Sequence, residues 1–349
     1  MAKVKFGDVV KDVKINVDRT NNPYERYIAG DHMDSEDLTL RRWGHFATDD
    51  VGPAFIRIFK PGQVLYGSRR TYLKKVAVAH FEGITANTTF VLETKDDNIF
   101  AQRLLPFLML SEDFTNYSVR KSKGSTNPYV LFSDLADYEF ELPSIEEQRV
   151  LADKLWAAYE LKEAYKKMIA ATDEMVKSQF IEMFGDKEFS IKKWSEVLTI
   201  TNGKAYKEEY QENGIYPIYG SGGIMGYGDK KLCNGDTVIL GRKGNINSPI
   251  YVKTDYWVVD TAFCLEVDKD VLDTKFFHYW CTQFNFLKFN KQAVLPSLTK
   301  SDLLTIEISI PSMDQQKLFV DIIEQADKSK FELRQAIDKI DKVMKSLLQ

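Results

Sequence analysis

Two segments of this chain, Glu141-Leu142-Pro143-Ser144-Ile145-Glu146-Glu147-Gln148 and Ser309-Ile310-Pro311-Ser312-Met313-Asp314-Gln315-Gln316, carry the same helix start. The shared prolines, 143 and 311, are offset by 168 residues, and the same offset carries Pro128 onto Pro296, Ser133 onto Ser301, Asp134 onto Asp302 and Leu135 onto Leu303. A unit that long is no solenoid repeat, so each copy has to be a domain with its own helix. In both starts a serine precedes Glu or Gln by three positions, Ser144 with Glu147 and Ser312 with Gln315. That pairing is a capping box, in which hydroxyl and side chain satisfy orphan N–H groups of the first turn.

Beyond the second start, Phe319, Ile323, Ala326, Lys330, Leu333, Ile337, Ile340, Met344 and Leu347 recur in alternating steps of four and three. Subtracting 168 gives Leu151, Leu155, Ala158, Lys162, Tyr165, Ile169, Thr172, Val176 and Gln179, a stripe with the same phase and the same lysine interruption. A 3.5-residue period is what a two-helix seam requires. The first helix is expected from about 145 to about 183, roughly 58 Å at 1.5 Å per residue. The second has to run back antiparallel to share the seam, which predicts a pseudo-twofold arrangement with Lys162 and Lys330 both near mid-seam. Two ammonium groups are not comfortably buried side by side. The expectation is that they turn outward, either as part of a partner-docking surface or as merely solvated groups.

The remaining correspondence is β-like. Gly62-Gln63-Val64-Leu65-Tyr66-Gly67 faces Gly235-Asp236-Thr237-Val238-Ile239-Leu240-Gly241, a turn and then a strand ending at glycine. Asn87–Glu93 faces Asp260–Glu266, both rich in β-branched and aromatic residues. Phe107, Leu108 and Phe114 align with Tyr279, Trp280 and Phe286, at spacings that favour core over a stacking platform.

Composition narrows the classes. With 44% hydrophobic and 28% charged residues over 349 positions, the chain can build two sizeable cores. The start lacks the apolar core of a signal peptide and no apolar run approaches membrane-spanning length, so a cytoplasmic location is expected. Cys233, Cys264 and Cys281 show no paired short spacing and read as buried thiols. His32, His45, His80 and His278 lack metal-ligand spacing. A net charge of −4 does not advertise a nucleic-acid binder, although a basic face can be averaged away by the charged helices. Enzyme readings find little support. Asn22-Pro23-Tyr24 and Asn127-Pro128-Tyr129 lack the second proline of an adenine pocket, and Gly220-Ser221-Gly222-Gly223 does not open a helix. Glu93-Thr94-Lys95 has no upstream aspartate within 51–92 to complete a nuclease metal pair, and there is no phosphate-binding loop.

With these residues in view, the chain resembles the specificity (S) subunits of type I restriction-modification enzymes. Their helices carry a Pro-x-x-x-[Glu/Gln]-Gln start, here Pro143 to Gln148 and Pro311 to Gln316. Phe184-Gly185-Asp186 resembles the close of their first helix, and Ile218–Tyr227 and Gly241-Arg242-Lys243-Gly244 resemble segments of their second recognition domain. The resemblance implies an α+β protein of two globular target recognition domains joined by two long antiparallel helices. The domains would span 1–143 and 186–311, and the spacer helices 144–185 and 312–349. It further implies a non-catalytic subunit that reads a bipartite double-stranded DNA target, while two methyltransferase (M) subunits supply S-adenosylmethionine and adenine-N6 chemistry. This chain would hold no cofactor or metal, and a restriction (R) motor-endonuclease subunit is left open as a further partner. The rod would act as a ruler, with half-site centres about one helical turn apart. A coiled-coil adaptor that binds no DNA, or a stand-alone methyltransferase or nuclease, remains the alternative.

Between Arg57 and His80 lie Arg57, Lys60, Arg69, Arg70, Lys74 and Lys75 with no acidic residue, which predicts a phosphate-facing surface. Arg120, Lys121 and Lys123 lead into the Gly124-Ser125-Thr126-Asn127 loop. The second copy offers Arg242, Lys243, Asn245 and Asn247, then Lys288, Lys291 and Gln292. Arginine suits guanine and amides suit adenine, whereas lysines more often meet phosphate alone. Gly67-Ser68-Arg69-Arg70 stands where Gly241-Arg242-Lys243-Gly244 does, a difference that reading two unlike half-sites would require.

Overall fold

The computed structural model describes residues 2–18, 21–185, 187–290 and 295–348. They form two compact units, one of residues 1–166 with 334–349, the other of 167–333.

The first unit begins with β1 (Ala2–Lys5), α1 (Phe6–Val9) and β2 (Val10–Asp12). It continues through β3 (Arg26–Ile28), β4 (Gly44–His45), β5 (Phe55–Phe59), β6 (Val64–Gly67), β7 (Val76–Val78), β8 (Gly83–Ala86) and β9 (Thr89–Thr94). Helices α2 (Leu105–Leu110), α3 (Glu112–Lys121) and α4 (Phe132–Ala136) precede β10 (Glu139–Leu142), and α5 (Ile145–Phe184) follows it. Strands β2-β9-β6-β7 make an antiparallel sheet, β4-β3-β8-β5 a second sheet in which β3 and β8 are parallel, and β1 pairs with β10.

The second unit repeats this plan: β11 (Ser190–Lys193), α6 (Trp194–Val197), β12 (Leu198–Asn202), β13 (Tyr216–Gly220), β14 (Gly223–Gly228), β15 (Thr237–Gly241), β16 (Ile250–Val252), β17 (Trp257–Val258) and β18 (Ala262–Val267). Helices α7 (Thr274–Gln283) and α8 (Lys300–Leu303), β19 (Glu307–Ile310) and α9 (Met313–Leu347) complete it. Its sheets are β12-β18-β15-β16, β14-β13-β17 with β13 parallel to β17, and the pair β11-β19. Even the anchoring of the first short helix recurs: the Phe6 N–H donates to Tyr138 O at 2.7 Å and the Trp194 N–H to Ile306 O at 2.9 Å.

The expected strands are β6, β9, β15 and β18, and each pair is hydrogen-bonded, β6 to β9 and β15 to β18. Both capping boxes are formed. The Glu147 N–H donates to Ser144 Oγ at 3.3 Å while Glu147 Oε2 accepts from the Ser144 N–H at 2.9 Å, and Gln315 with Ser312 does the same at 3.4 and 3.1 Å. All eighteen stripe positions are at least partly shielded from solvent. In the first unit Leu151, Leu155, Met344 and Leu347 share one core with Phe107 and Phe114. In the second, Val176, Phe319 and Ala326 share a core with Phe286, against which Tyr279 and Trp280 pack. The aligned aromatics are therefore core, as their spacing predicts. Cys233, Cys264 and Cys281 are free and buried. No helix among the described residues is long and apolar enough to cross a membrane.

Candidate functional site

In each unit the chain leaving a central strand is clasped by the same backbone bonds. After β6, the Ser68 N–H donates to Thr88 O at 3.1 Å, the Val130 N–H to Ser68 O at 3.0 Å, and the Arg70 N–H to Pro128 O at 2.7 Å. After β15, the Arg242 N–H donates to Thr261 O at 2.8 Å, the Leu298 N–H to Arg242 O at 2.9 Å, and the Gly244 N–H to Pro296 O at 2.9 Å. Arg69 bridges Tyr129, and Lys243 bridges Ser297. One corner has thus been built twice, with exposed Arg69 where the other copy has exposed Lys243.

The corner requires a left-handed residue, and Gly244 takes it at φ +78° without steric cost. In the first unit Arg70 holds that conformation at φ +50°, which costs a non-glycine residue on the order of 1 kcal/mol. Its Nε donates to Asn127 Oδ1 at 3.3 Å, joining the corner to the exposed 124–127 loop. That loop is closed by reciprocal Lys123 and Tyr129 backbone bonds of 2.8 and 2.9 Å. Arg120 and Lys121 end α3 beside it, the Lys121 ammonium 5.5 Å over the Tyr117 ring, and Lys123 pairs with Asp134 at 2.9 Å.

The continuous basic face expected over 57–80 is not what forms. Arg57 is buried and pairs with Asp12 at 2.8 Å, also donating to Thr89 O. Lys74, its side chain 12% exposed, pairs with Glu112 at 2.9 Å and Glu36 at 3.0 Å. Burial works against its ammonium, yet the two glutamates outweigh it and raise its pKa. Lys75 donates to Gly30 O. The neutralising carboxylates come from positions 12, 36 and 112, outside the 57–80 stretch, so only the tertiary fold brings them in.

In the second unit the Arg242 guanidinium lies 5.9 Å over the Phe263 ring, while Lys243 and Asn245 are exposed. Asn247 is also exposed, but its Oδ1 accepts the Phe286 N–H at 2.8 Å, giving it a structural task. Lys288 is exposed, 5.9 Å over the Phe284 ring. Lys291, Gln292 and Asp186 lie outside the described residues. Lys204 was not singled out by sequence. The Gly203 N–H donates to Ala262 O and the Lys204 N–H to Val258 O, setting exposed Lys204 against the same 258–262 segment that holds Arg242. The available signal was Gly203, where a Cβ would stand 1.9 Å from Val259 O.

The lysines of the helical stripe are not left facing one another. Lys162 pairs with Asp341 at 2.6 Å in the first unit, and Lys330 with Asp173 at 2.8 Å and Asp327 at 2.9 Å in the second. Their side chains are only 16% and 15% exposed. The outward-turned pair is thereby corrected: each ammonium finds a carboxylate across the antiparallel seam, and Lys162–Asp341 and Lys330–Asp173 are one interaction repeated at an offset of 168. Exposed apolar positions do repeat along the helices. Val150 and Leu318, also 168 apart, are 54% and 57% exposed.

A family profile described as "Type I restriction modification DNA specificity domain" matches residues 56–170 and 186–342. The type I restriction enzyme EcoprrI specificity subunit of Escherichia coli is 25% identical over 121 residues, covering 34% of this chain and 30% of that protein. The EcoDI specificity subunit of Escherichia coli is 24% identical over 165 residues, 47% of this chain and 35% of that protein. The matched stretches thus span about a third of those relatives' lengths. The crystal structure of a type I restriction-modification S subunit from M. genitalium matches with TM-score 0.65 and 16% identity, over 100% of this chain and 96% of that one. A structure concerned with complex assembly and conformational transition of the type I R-M system matches with TM-score 0.61 and 17% identity, over 99% and 96%. At such identities these likenesses speak for the fold.

Proposed function

Because the chain belongs to the type I restriction-modification DNA specificity domain family, we propose that it is the reader of a bipartite double-stranded DNA target. Each unit reads one part, and the chain directs adenine-N6 methylation by partner subunits while making and breaking no bonds itself. S-adenosylmethionine then belongs to the methyltransferase partners, and restriction to any motor-endonuclease that joins them. The observation that carries this reading is the duplicated corner, whose backbone bonds are conserved between units while its side chains are not: Ser68-Arg69-Arg70 against Arg242-Lys243-Gly244. A common frame with different exposed cations suits two half-sites of different sequence.

Mapping N6-methyladenine in DNA from cells carrying this chain with a type I methyltransferase subunit tests it. One bipartite motif, absent when either protein is omitted, is the expected result; methylation that persists without this chain excludes the role. Arg242→Ala is expected to weaken binding of that target by about 5- to 150-fold, as for one lost arginine–base contact, and to relax preference at one half-site alone. Equal loss at both half-sites would argue for a folding defect instead.

The repeated Val150 and Leu318 surface supports two copies of one partner, because an exposed aliphatic at the same position of each helix start offers the same contact twice. Val150→Glu and Leu318→Glu should each reduce the methyltransferase count in native mass spectrometry from two to one, and together to none. An unchanged count in the double variant would remove this surface from assembly.

A further inference from the structure

Strands β13 and β14 of the second unit form a two-stranded ribbon closed by Ser221 and Gly222. From Ile215 to Gly228 the sequence contains no charged residue. β14 is the edge strand of its sheet, its Tyr227–Gly228 end covered by the Gln211 N–H, which donates to Tyr227 O at 2.9 Å, and by a bridge from Tyr210 to Gly228. Here Ile224 and Met225 are 52% and 51% exposed, and Tyr227 is exposed as well. The pairing also slips: Ile218 faces Gly226 and Tyr219 faces Ile224, so Met225 is the extra residue of a bulge, a device that re-aims side chains. An uncharged edge that leaves two large aliphatic side chains half exposed is an aggregation hazard unless something occupies it.

What occupies it is indicated by its neighbour. A Cβ on Gly244 would stand 3.9 Å from Ser221 Oγ, so the ribbon tip abuts the corner that carries Arg242 and Lys243. The first unit has the same β3–β4 topology, but β4 is only two residues long and its cross-strand pairs are Arg26 with His45 and Tyr27 with Gly44. A B-form major groove about 12 Å wide admits a two-stranded ribbon, and its thymines offer the apolar C5-methyl group.

We propose that the β13–β14 ribbon is the base-reading element of the second unit, entering the major groove so that Ile224 and Met225 pack on thymine C5-methyl groups. This rests on the DNA-reading function proposed above and names how one half-site is read. Any half-site that contains an adenine also contains its paired thymine, so a methyl group is always on offer. The adjacent Arg242 and Lys243 anchor the same half-site, and the ribbon itself carries no charge to repel the phosphates.

The test uses the full chain with its methyltransferase partner and duplexes carrying the mapped target. Thymines of the half-site whose preference Arg242→Ala relaxes are replaced one by one with deoxyuridine, which removes only the methyl group. Competition binding should fall about three- to tenfold for at least one replacement, as for one buried methyl. Ile224→Thr combined with Met225→Gln, polar replacements at exposed sites, should weaken binding to the thymine duplex and bind the uracil duplex equally well, with the other half-site unaffected. Indifference of the wild type to every uracil, or a variant that still discriminates, overturns the ribbon proposal while leaving the DNA-reading function intact. A variant that binds DNA normally but loses the methyltransferase assigns the ribbon to a protein interface and also overturns it. Absence of DNA binding by every form defeats the underlying function itself.

Discussion

Gln148→Leu, or equally Gln316→Leu, is expected to destabilise its unit by about 3–5 kcal/mol, because one buried amide satisfies three backbone groups at once. Gln148 is completely buried; its Oε1 accepts the Ala101 N–H at 2.9 Å, and its Nε2 donates to Ile99 O at 3.0 Å and Pro143 O at 2.9 Å. Gln316, also completely buried, accepts the Asp273 N–H at 2.8 Å and donates to Val271 O at 3.0 Å and Pro311 O at 2.9 Å. Leucine has nearly the right volume and no hydrogen-bonding capacity, so three buried polar groups lose their partner, each at about 1–3 kcal/mol before relaxation. The glutamine pins the first turn of each long helix to the segment that leads into α2 in the first unit and α7 in the second. Two-unit proteins need not unfold in one step, so the measurement is hydrogen exchange read separately over each unit under increasing denaturant. A loss below 1 kcal/mol at both sites would mean that the amides are dispensable.

Asp37→Ala should cost about 3 kcal/mol, and only in the first unit. The Asp37 carboxylate accepts from the Tyr159 hydroxyl at 2.7 Å, the Thr39 N–H at 2.9 Å and Arg41 Nε at 3.0 Å, and Arg41 also pairs with Glu163. Removing the carboxylate leaves the Tyr159 hydroxyl with Thr39 Oγ1 at 2.9 Å and the Arg41 guanidinium with Glu163, at the junction of the 34–41 segment with α5, and breaking such a partly shielded pair costs about 3 kcal/mol. The second unit has Asp327 and Phe331 at the positions of Tyr159 and Glu163, so it cannot build this network. Burial works against the ionised Asp37, but Tyr159, the Thr39 N–H and Arg41 together outweigh it and hold its pKa below the ordinary value. A depressed carboxyl contributes stability that is present above its unfolded pKa of about 4 and is lost as pH falls through the folded value. Asp37→Asn should therefore flatten the acid limb of the first unit's stability below about pH 4. An acid titration indistinguishable from wild type would show that other carboxylates carry that limb.

Much of the fold was legible because its signals are local. A capping box needs four consecutive residues, a heptad stripe needs one helix, and the β6/β9 and β15/β18 strands are marked by turn residues and β-branched runs. The duplication added an internal control, since whatever recurs at an offset of 168 has to serve both units. Gln148 and Gln316 were visible as part of that recurrence, but not their task, because two of the three backbone groups each satisfies lie 43 to 49 residues upstream.

Charge was where reading along the chain failed. Arg57 and Lys74 looked free within a window devoid of acids, and Lys162 and Lys330 looked unmatched within their helices. Each is neutralised by a carboxylate that is distant in sequence and close in space. Conversely, Lys204 joined the Arg242 corner only through backbone bonds to the 258–262 segment. By itself the sequence determined the repeat, the helix starts, the seam and the family resemblance, since all are patterns of neighbours along the chain. Tertiary structure alone decided which cations stay exposed and which apolar edge stays open, because Coulombic pairing and burial depend on distance through space, and the fold sets that distance with residues from anywhere in the unit.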